Sequence, residues 1–223
     1  MPKLEKRPVI SVLIVDDHAI VREGLRLILE QIDDIHVAGD FGNGRDAIAF
    51  CKKRYHPDVI LMDLSMPLLN GLDTTKIITK KWNSTRVLIL SMHTDSQYVN
   101  DAMHSGATGF LAKRTASKEI VTAIRTVYSG RPYFSSDIAS NLVKKWNNST
   151  GNTFKNNQIL TMREREVVQL IAEGFSSPQI AAHLKISIKT VSRHRQNLMD
   201  KLDIHDVAGL TGYAIKHRII SPK

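Results

Sequence analysis

From Val9 to Gly130 the chain alternates five short apolar runs with five longer amphipathic stretches, and that alternation leaves few folds open. The runs are Val9–Val15, Ile35–Gly39, Val59–Met62, Val87–Leu90 and Thr108–Leu111. Most are continuous runs rich in Val, Ile and Leu, the mark of strands buried on both faces of a parallel sheet. The stretches between them, Ile20–Gln31, Gly44–Arg54, Thr74–Trp82, Ser96–Ser105 and Lys118–Ser129, carry helical spacing; in the first, Val21, Leu25, Ile28 and Leu29 share one face. Five βα units in about 120 residues predict a doubly wound five-stranded parallel α/β domain.

After Tyr133 no further strand is expected. Ser135 or Ser136 is placed to cap a helix running through Trp146, and the Asn-rich stretch that follows reads as a flexible linker. From Leu160 onward four helices are expected, over roughly 162–173, 177–184, 188–202 and 206–217, with Pro178 opening the second and Ser187 capping the third. The expected organisation is therefore an α/β domain over 9–130, a helix and linker over 131–157, and a small all-α domain over 158–223. A length of 223 residues accommodates two such domains at ~100–150 residues each.

Composition narrows the setting. A 42% apolar, 24% charged chain has the material for real cores, and the single Cys51 excludes a disulfide scaffold. No apolar run approaches the ~20 residues of a membrane helix, and Met1 to Pro8 lacks an apolar signal core, so the expectation is a soluble cytoplasmic protein without membrane attachment. Charge is uneven: residues 1–130 carry 17 Lys and Arg against 15 Asp and Glu, residues 131–223 carry 14 against 7. The excess sits in the smaller C-terminal part, as expected where that module meets a polyanion.

Ligands of a doubly wound sheet bind beyond the carboxyl ends of its strands. Asp16 and Asp17 follow the first strand and Asp63 the third; with strand order 2-1-3-4-5 they converge. Three carboxylates in one pocket repel, and a divalent cation, Mg²⁺ for an all-oxygen set, relieves that conflict. Ser91 follows the fourth strand and Lys113 the fifth. A nucleophilic Asp63, a hydroxyl donor at Ser91 and charge balance from Mg²⁺ and Lys113 fit a phosphoryl acceptor. Singly, each residue has a plainer reading: an N-cap for Asp16 or Asp17, a turn former for Asp63, a solvated Lys113, a loop polar group at Ser91. All five on one rim are harder to explain that way.

The pieces Val-Asp16-Asp17-His, Asp63-Leu-Ser-Met-Pro67-Leu-Leu-Asn-Gly71, Leu-Ser91 and Gly106-Ala-Thr-Gly-Phe110-Leu-Ala-Lys113 resemble, in order and spacing, the receiver domain of bacterial two-component response regulators. The resemblance implies that Asp63 accepts a phosphoryl group from a sensor histidine kinase or another phosphodonor. It implies Mg²⁺ on Asp17, Asp63 and the main-chain carbonyl of Ser65, with Asp16 acting through water, and a switch pair in which Ser91 turns to the phosphate and Phe110 swings inward behind it. Arg114 stands where many receivers have proline.

In the C-terminal part, Val191, Leu198 and Leu202 fall on one helical face, while Lys189, Arg193 and Gln196 lie on another with Ser192 adjacent. A short helix, a tight turn and a capped second helix with a polar, basic face match helix-turn-helix geometry; a solvated four-helix bundle is the plainer alternative. The segment resembles the LuxR-type DNA-binding domain, with Thr161, Glu164, Arg165, Glu166, Gly174, Ile180, Ala181, Leu184, Ser187, Thr190, Val191, His194, Lys201 and Leu202 at motif positions. By that resemblance Ser192, Arg193 and Gln196 face base edges, Lys189 and Thr190 contact phosphates, and Lys201 adds to the phosphate footprint.

Together the two resemblances imply a phosphorylation-controlled transcription regulator of the NarL/FixJ class, acting on duplex DNA as a homodimer, with RNA polymerase a further candidate partner and no enzymatic turnover beyond chemistry at Asp63 itself. Two other classes compete. A haloacid-dehalogenase-like phosphohydrolase would carry Asp-x-Asp after the first strand, whereas Asp16-Asp17 is contiguous and no cap domain is visible. A receiver working only through protein contacts would use its helical tail as a docking module.

Overall fold

The structure is a computed structural model that describes residues 8–53, 56–140 and 159–221. The chain forms two compact units, each taken by itself below.

In the first unit a parallel sheet runs in the order β2-β1-β3-β4-β5-β6, the expected order with one strand added. Its strands are β1 (Ile10–Val15), β2 (Ile35–Phe41), β3 (Val59–Asp63), β4 (Arg86–Ser91), β5 (Gly109–Ala112) and β6 (Tyr133–Phe134). The helices between them are α1 (Ala19–Leu29), α2 (Gly44–Cys51), α3 (Gly71–Lys81), α4 (Ser96–His104) and α5 (Ala116–Tyr128), the last preceded by a 3₁₀ turn at Lys113–Thr115. Val12, Ile14, Leu61, Leu88, Leu90 and Leu111 pack one face of the sheet against Leu25 and Leu29 of α1 and Ile120, Ile124 and Val127 of α5. Their neighbours Leu13, Ile60, Met62, Ile89 and Phe110 are as fully buried, so both faces are covered.

The sheet has six strands where five were expected. Tyr133 pairs with Gly109 and Phe134 with Phe110. Two residues are too few to show a strand period, and their pairing depends on a partner more than twenty positions back. Gly109 permits it, because a Cβ there would stand 2.8 Å from the Tyr133 carbonyl oxygen. Ser135 takes the cap position before a helical stretch at 136–140, but its hydroxyl caps nothing: it is fully buried and has no hydrogen-bond partner among the described residues. The remainder of the helix expected through Trp146, and the linker, lie outside the described residues.

The second unit is helical: α6 (Met162–Ala172), α7 (Ser177–Leu184), α8 (Ile188–Leu202) and α9 (Val207–Lys216). Each start is written locally. The Thr161 hydroxyl accepts from the Glu164 amide while the Glu164 carboxylate accepts from the Thr161 amide, a reciprocal cap. Gln179 closes the same box on Ser176, beside Pro178 in the first turn. Ser187 accepts from the Thr190 amide and Asp206 from the Gly209 amide. Lys185, in the left-handed region at φ 53°, ends α7 and makes the tight turn into α8. Val167, Val168 and Ile171 of α6 meet Ile180 and Leu184 of α7, Val191 and Leu198 of α8, and Leu210 and Ala214 of α9 in one core, with Leu202 at its edge.

Candidate functional site

Parallel pairing of β1 with β3 sets Val15 beside Met62, so the next residues along each chain, Asp16 and Asp63, emerge side by side. Both are almost completely buried. Pairing of β4 with β5 sets Ser91 opposite Ala112, which puts Lys113 at the same rim. The Lys113 Nζ lies 2.6 Å from Asp16 Oδ2 and 3.1 Å from Asp63 Oδ2, while the Leu64 amide donates to the other oxygen, Asp63 Oδ1, at 2.8 Å.

This carboxylate is out of its ordinary range. Burial pushes the Asp63 pKa up to about 6; Lys113 pulls it down, and the negative charges of Asp16 and Asp17 raise it again. For Lys113, burial alone would lower the pKa, but attraction to Asp63 and the hydrogen bond to Asp16 outweigh it and hold the ammonium above its usual value.

Asp17 is more open to solvent than Asp16, and the imidazole of His18 lies over both: Nδ1 is 2.7 Å from Asp17 Oδ1 and 3.2 Å from Asp16 Oδ1. Donor atoms of Asp16, Asp17, His18 and Asp63 all fall within 4.8 Å of one another. Three carboxylates of that density are the donor set a hard divalent cation requires. Sequence spacing gave no metal-like signal for His18, because a single histidine after two aspartates also serves as the residue before a helix, which it is here. Ser65 lies two residues beyond Asp63 in the following turn, half-buried.

Ser91 is buried at the end of β4, and its Oγ accepts from the His93 amide at 3.0 Å. The Phe110 ring, expected to swing, is already fully buried. Gly71 explains the end of its motif: a Cβ there would stand 1.9 Å from the Asp63 carbonyl oxygen, so only glycine lets α3 begin against the strand that carries Asp63.

In the second unit, Lys189, Ser192, Arg193 and Gln196 are all exposed on α8. The Gln196 amide donates to Asp200 Oδ1 at 2.7 Å and the Ser192 hydroxyl to the Ile188 carbonyl at 3.1 Å. Thr190 shares its hydroxyl with Ser187 at the cap, and it is its backbone that closes the helix start. Lys201 is placed differently from the others: its ammonium sits on the buried Glu164 carboxylate, 2.8 Å from each oxygen. Burial would raise the Glu164 pKa, but Lys201 and the Thr161 cap together bring it below the usual carboxylate value. Ile188, half exposed at the start of α8, is an apolar member of this face that a search for charged residues passes over.

A receiver-like sheet with its acidic rim and a helix-turn-helix unit with a basic helix define a two-module signalling protein, and the comparisons agree. Residues 12–125 match the family described as response regulator receiver domain, and residues 158–214 match bacterial regulatory proteins, luxR family. The chain is 39% identical over 210 residues to the response regulator UvrY of Escherichia coli (strain K12), covering 93% of this chain and 94% of that protein. It is 36% identical over 216 residues to the oxygen regulatory protein NreC of Staphylococcus carnosus (strain TM300), covering 94% and 99%. Among solved structures it resembles the RcsB response regulator of Salmonella typhimurium, with a TM-score of 0.56 at 27% identity over 92% of this chain and 97% of that one. An RcsB–DNA complex matches with a TM-score of 0.56 at 28% identity over 92% and 97%. The chain belongs to the response regulators of two-component systems, in the NarL/FixJ class, and is a phosphorylation-controlled DNA-binding transcription regulator. No helix among its described residues is long and apolar enough to cross a membrane.

Proposed function

We propose that Asp63 is the phosphoacceptor, with the domains divided as 9–130, 131–157 and 158–223. The observation that carries the assignment is the buried Asp63 carboxylate, ion-paired at 3.1 Å to a Lys113 ammonium that Asp16 also holds. An Asp63 oxygen attacks phosphorus of a phosphohistidine on a sensor kinase, or of another phosphodonor; the bond to the donor breaks in line, and the donor leaves with its electron pair. Asp17, Asp63 and the Ser65 carbonyl would hold Mg²⁺, with Asp16 acting through water, and the bound ion supplies neutralisation of charge on the transferred oxygens. Lys113 exchanges part of its carboxylate pairing for a phosphoryl oxygen. The Ser91 hydroxyl leaves the His93 amide to donate to another, and Phe110 fills the space behind it.

Arg193, Gln196 and Ser192 meet base edges in the major groove, with Ile188 beside them for thymine methyl groups, while Lys189 and Thr190 hold phosphates. Lys201 joins the phosphate footprint only as far as Glu164 releases it. RcsB is described in complex with DNA and as dimers on DNA; a homodimer of this chain on an inverted repeat in the cytoplasm, with RNA polymerase as a further partner, is the corresponding reading here.

The test is to capture random genomic duplex fragments on the full-length protein, with and without Mg²⁺ and beryllofluoride, and to sequence them. Enrichment of one inverted repeat only with the phosphoryl mimic is the expected result. Equal enrichment in both conditions keeps the DNA reader and removes the switch; no enrichment in either points to a protein-docking role.

A further inference from the structure

Arg114 stands beside the Lys113 of the acidic rim, in a position where proline is common, and the sequence alone offers no reason for it. In the structure two of its guanidinium donors, Nε at 3.2 Å and Nη2 at 2.6 Å, converge on one oxygen of Asp137. Asp137 lies in the helical stretch at 136–140, directly after β6, on the length of chain that leads from the sheet toward the helical unit. The same segment is bound to the candidate switch at two further points. Phe134 pairs with Phe110 across the sheet edge, and the Ser135 amide donates to the Phe110 carbonyl at 3.2 Å. The Tyr133 hydroxyl ties its start to Glu119 of α5 at 2.7 Å.

Residues 133–137 are thus attached to both groups that phosphorylation is proposed to disturb, the strand of Phe110 and the turn of Lys113. Lys113 and Arg114 are consecutive in one 3₁₀ turn, so a shift of Lys113 toward a phosphoryl oxygen carries the Arg114 backbone with it. The fully buried Ser135 hydroxyl, which has no hydrogen-bond partner among the described residues, marks the segment as one whose present position leaves a polar group unsatisfied there. A segment so placed has something to gain from a second arrangement, which a bistable element requires.

We propose that Arg114 and Asp137 are positioning residues that couple the Lys113 turn to the chain segment leaving the receiver, so that occupancy at Asp63 is passed to residues 133–140 and onward along the chain. The inference rests on the assignment of Asp63 as phosphoacceptor. An ion pair this exposed contributes little to stability on its own, and its role is to transmit a displacement.

The experiment uses full-length protein and a duplex bearing the repeat recovered in the capture. Its affinity is measured with and without Mg²⁺ and beryllofluoride for the wild type, Arg114→Ala, Asp137→Ala, and the exchanged pair Arg114→Asp with Asp137→Arg. Binding of the mimic is followed separately by fluorine NMR, and unfolding temperature controls for misfolding. The wild-type response, about 5–150-fold for couplings of ordinary size, tests the phosphoacceptor reading itself. With that response present, each single variant is expected to bind the mimic and unfold like the wild type but to lose most of the stimulation, and the exchanged pair to recover it. Single variants that keep the full stimulation overturn the proposal. So does an exchanged pair that responds no better than the single variants, because the loss then belongs to the residues separately and not to their pairing.

Discussion

Asp63 sits ionised in a place that disfavours charge, and this has a measurable consequence at the scale of the single residue. Its folded-state pKa, about 6, lies above the ordinary carboxylate value, so the folded protein binds this proton more tightly than the unfolded chain. Stability from that proton is fully present below about pH 4 and is lost as pH rises through 6; at neutral pH the ionised group therefore costs the fold on the order of 2–3 kcal/mol. Asp63→Asn, without Mg²⁺, is expected to unfold at a higher temperature than the wild type at pH 7.5, with the gap narrowing to roughly half at pH 5 and closing only near pH 4. A wild type that is the more stable at pH 7.5 would show that Lys113 more than offsets burial. Ser135 makes a second residue-scale case. Its hydroxyl is buried and has no partner among the described residues, so Ser135→Ala removes a desolvated group and loses no hydrogen bond to them. A gain of about 1 kcal/mol in urea unfolding is expected; a loss would mean that the hydroxyl is satisfied in solution.

Elements show why some of this was legible in the sequence and some was not. Strands β1, β3 and β4 are built on short apolar runs rich in Val, Ile and Leu, and their central position makes such runs necessary, so they can be read directly. The caps at Thr161 and Ser187 are equally readable, because their partners lie three residues away. Asp16, Asp63, Ser91 and Lys113 could be placed together because each is at or just beyond the end of a strand, and strand order then brings them to one rim. What stayed hidden depends on distant partners. Strand β6 exists only against β5. Arg114 finds Asp137 23 positions away, and Lys201 finds Glu164 at 37. At this scale Gly71→Ala is the sharpest test. The added methyl group would meet the Asp63 carbonyl at 1.9 Å, a collision with backbone that no side-chain rotation relieves. The start of α3 must then move away from Asp63, and beryllofluoride binding should fall at least tenfold even where the variant folds; unchanged binding would mean the acidic rim does not need this close approach.

For the whole molecule, the excess of positive charge lies in residues 131–223, and the DNA contacts proposed above for α8 fall unequally on its cations. Lys189 is exposed near the helix start, free to reach a phosphate, whereas Lys201 at the other end is held by a buried carboxylate. Equal charges thus stand in unequal surroundings. Lys189→Ala is expected to reduce the slope of log affinity against log salt by about 1 and to weaken all duplexes alike. Arg193→Ala should cost about 1–3 kcal/mol on the recovered repeat and relax its sequence preference, as a base contact does. Lys201→Ala should do neither. It leaves Glu164 buried beneath the end of α8 with only its cap partners, so the expected result is a lower unfolding temperature of the helical unit with the salt slope of the folded protein retained. A reduced slope with unaltered stability would move Lys201 into the phosphate footprint and make its pairing with Glu164 the weaker of its two interactions. The three variants together therefore separate charge that reads DNA from charge that holds the reading helix in place, a distinction that net charge alone cannot make.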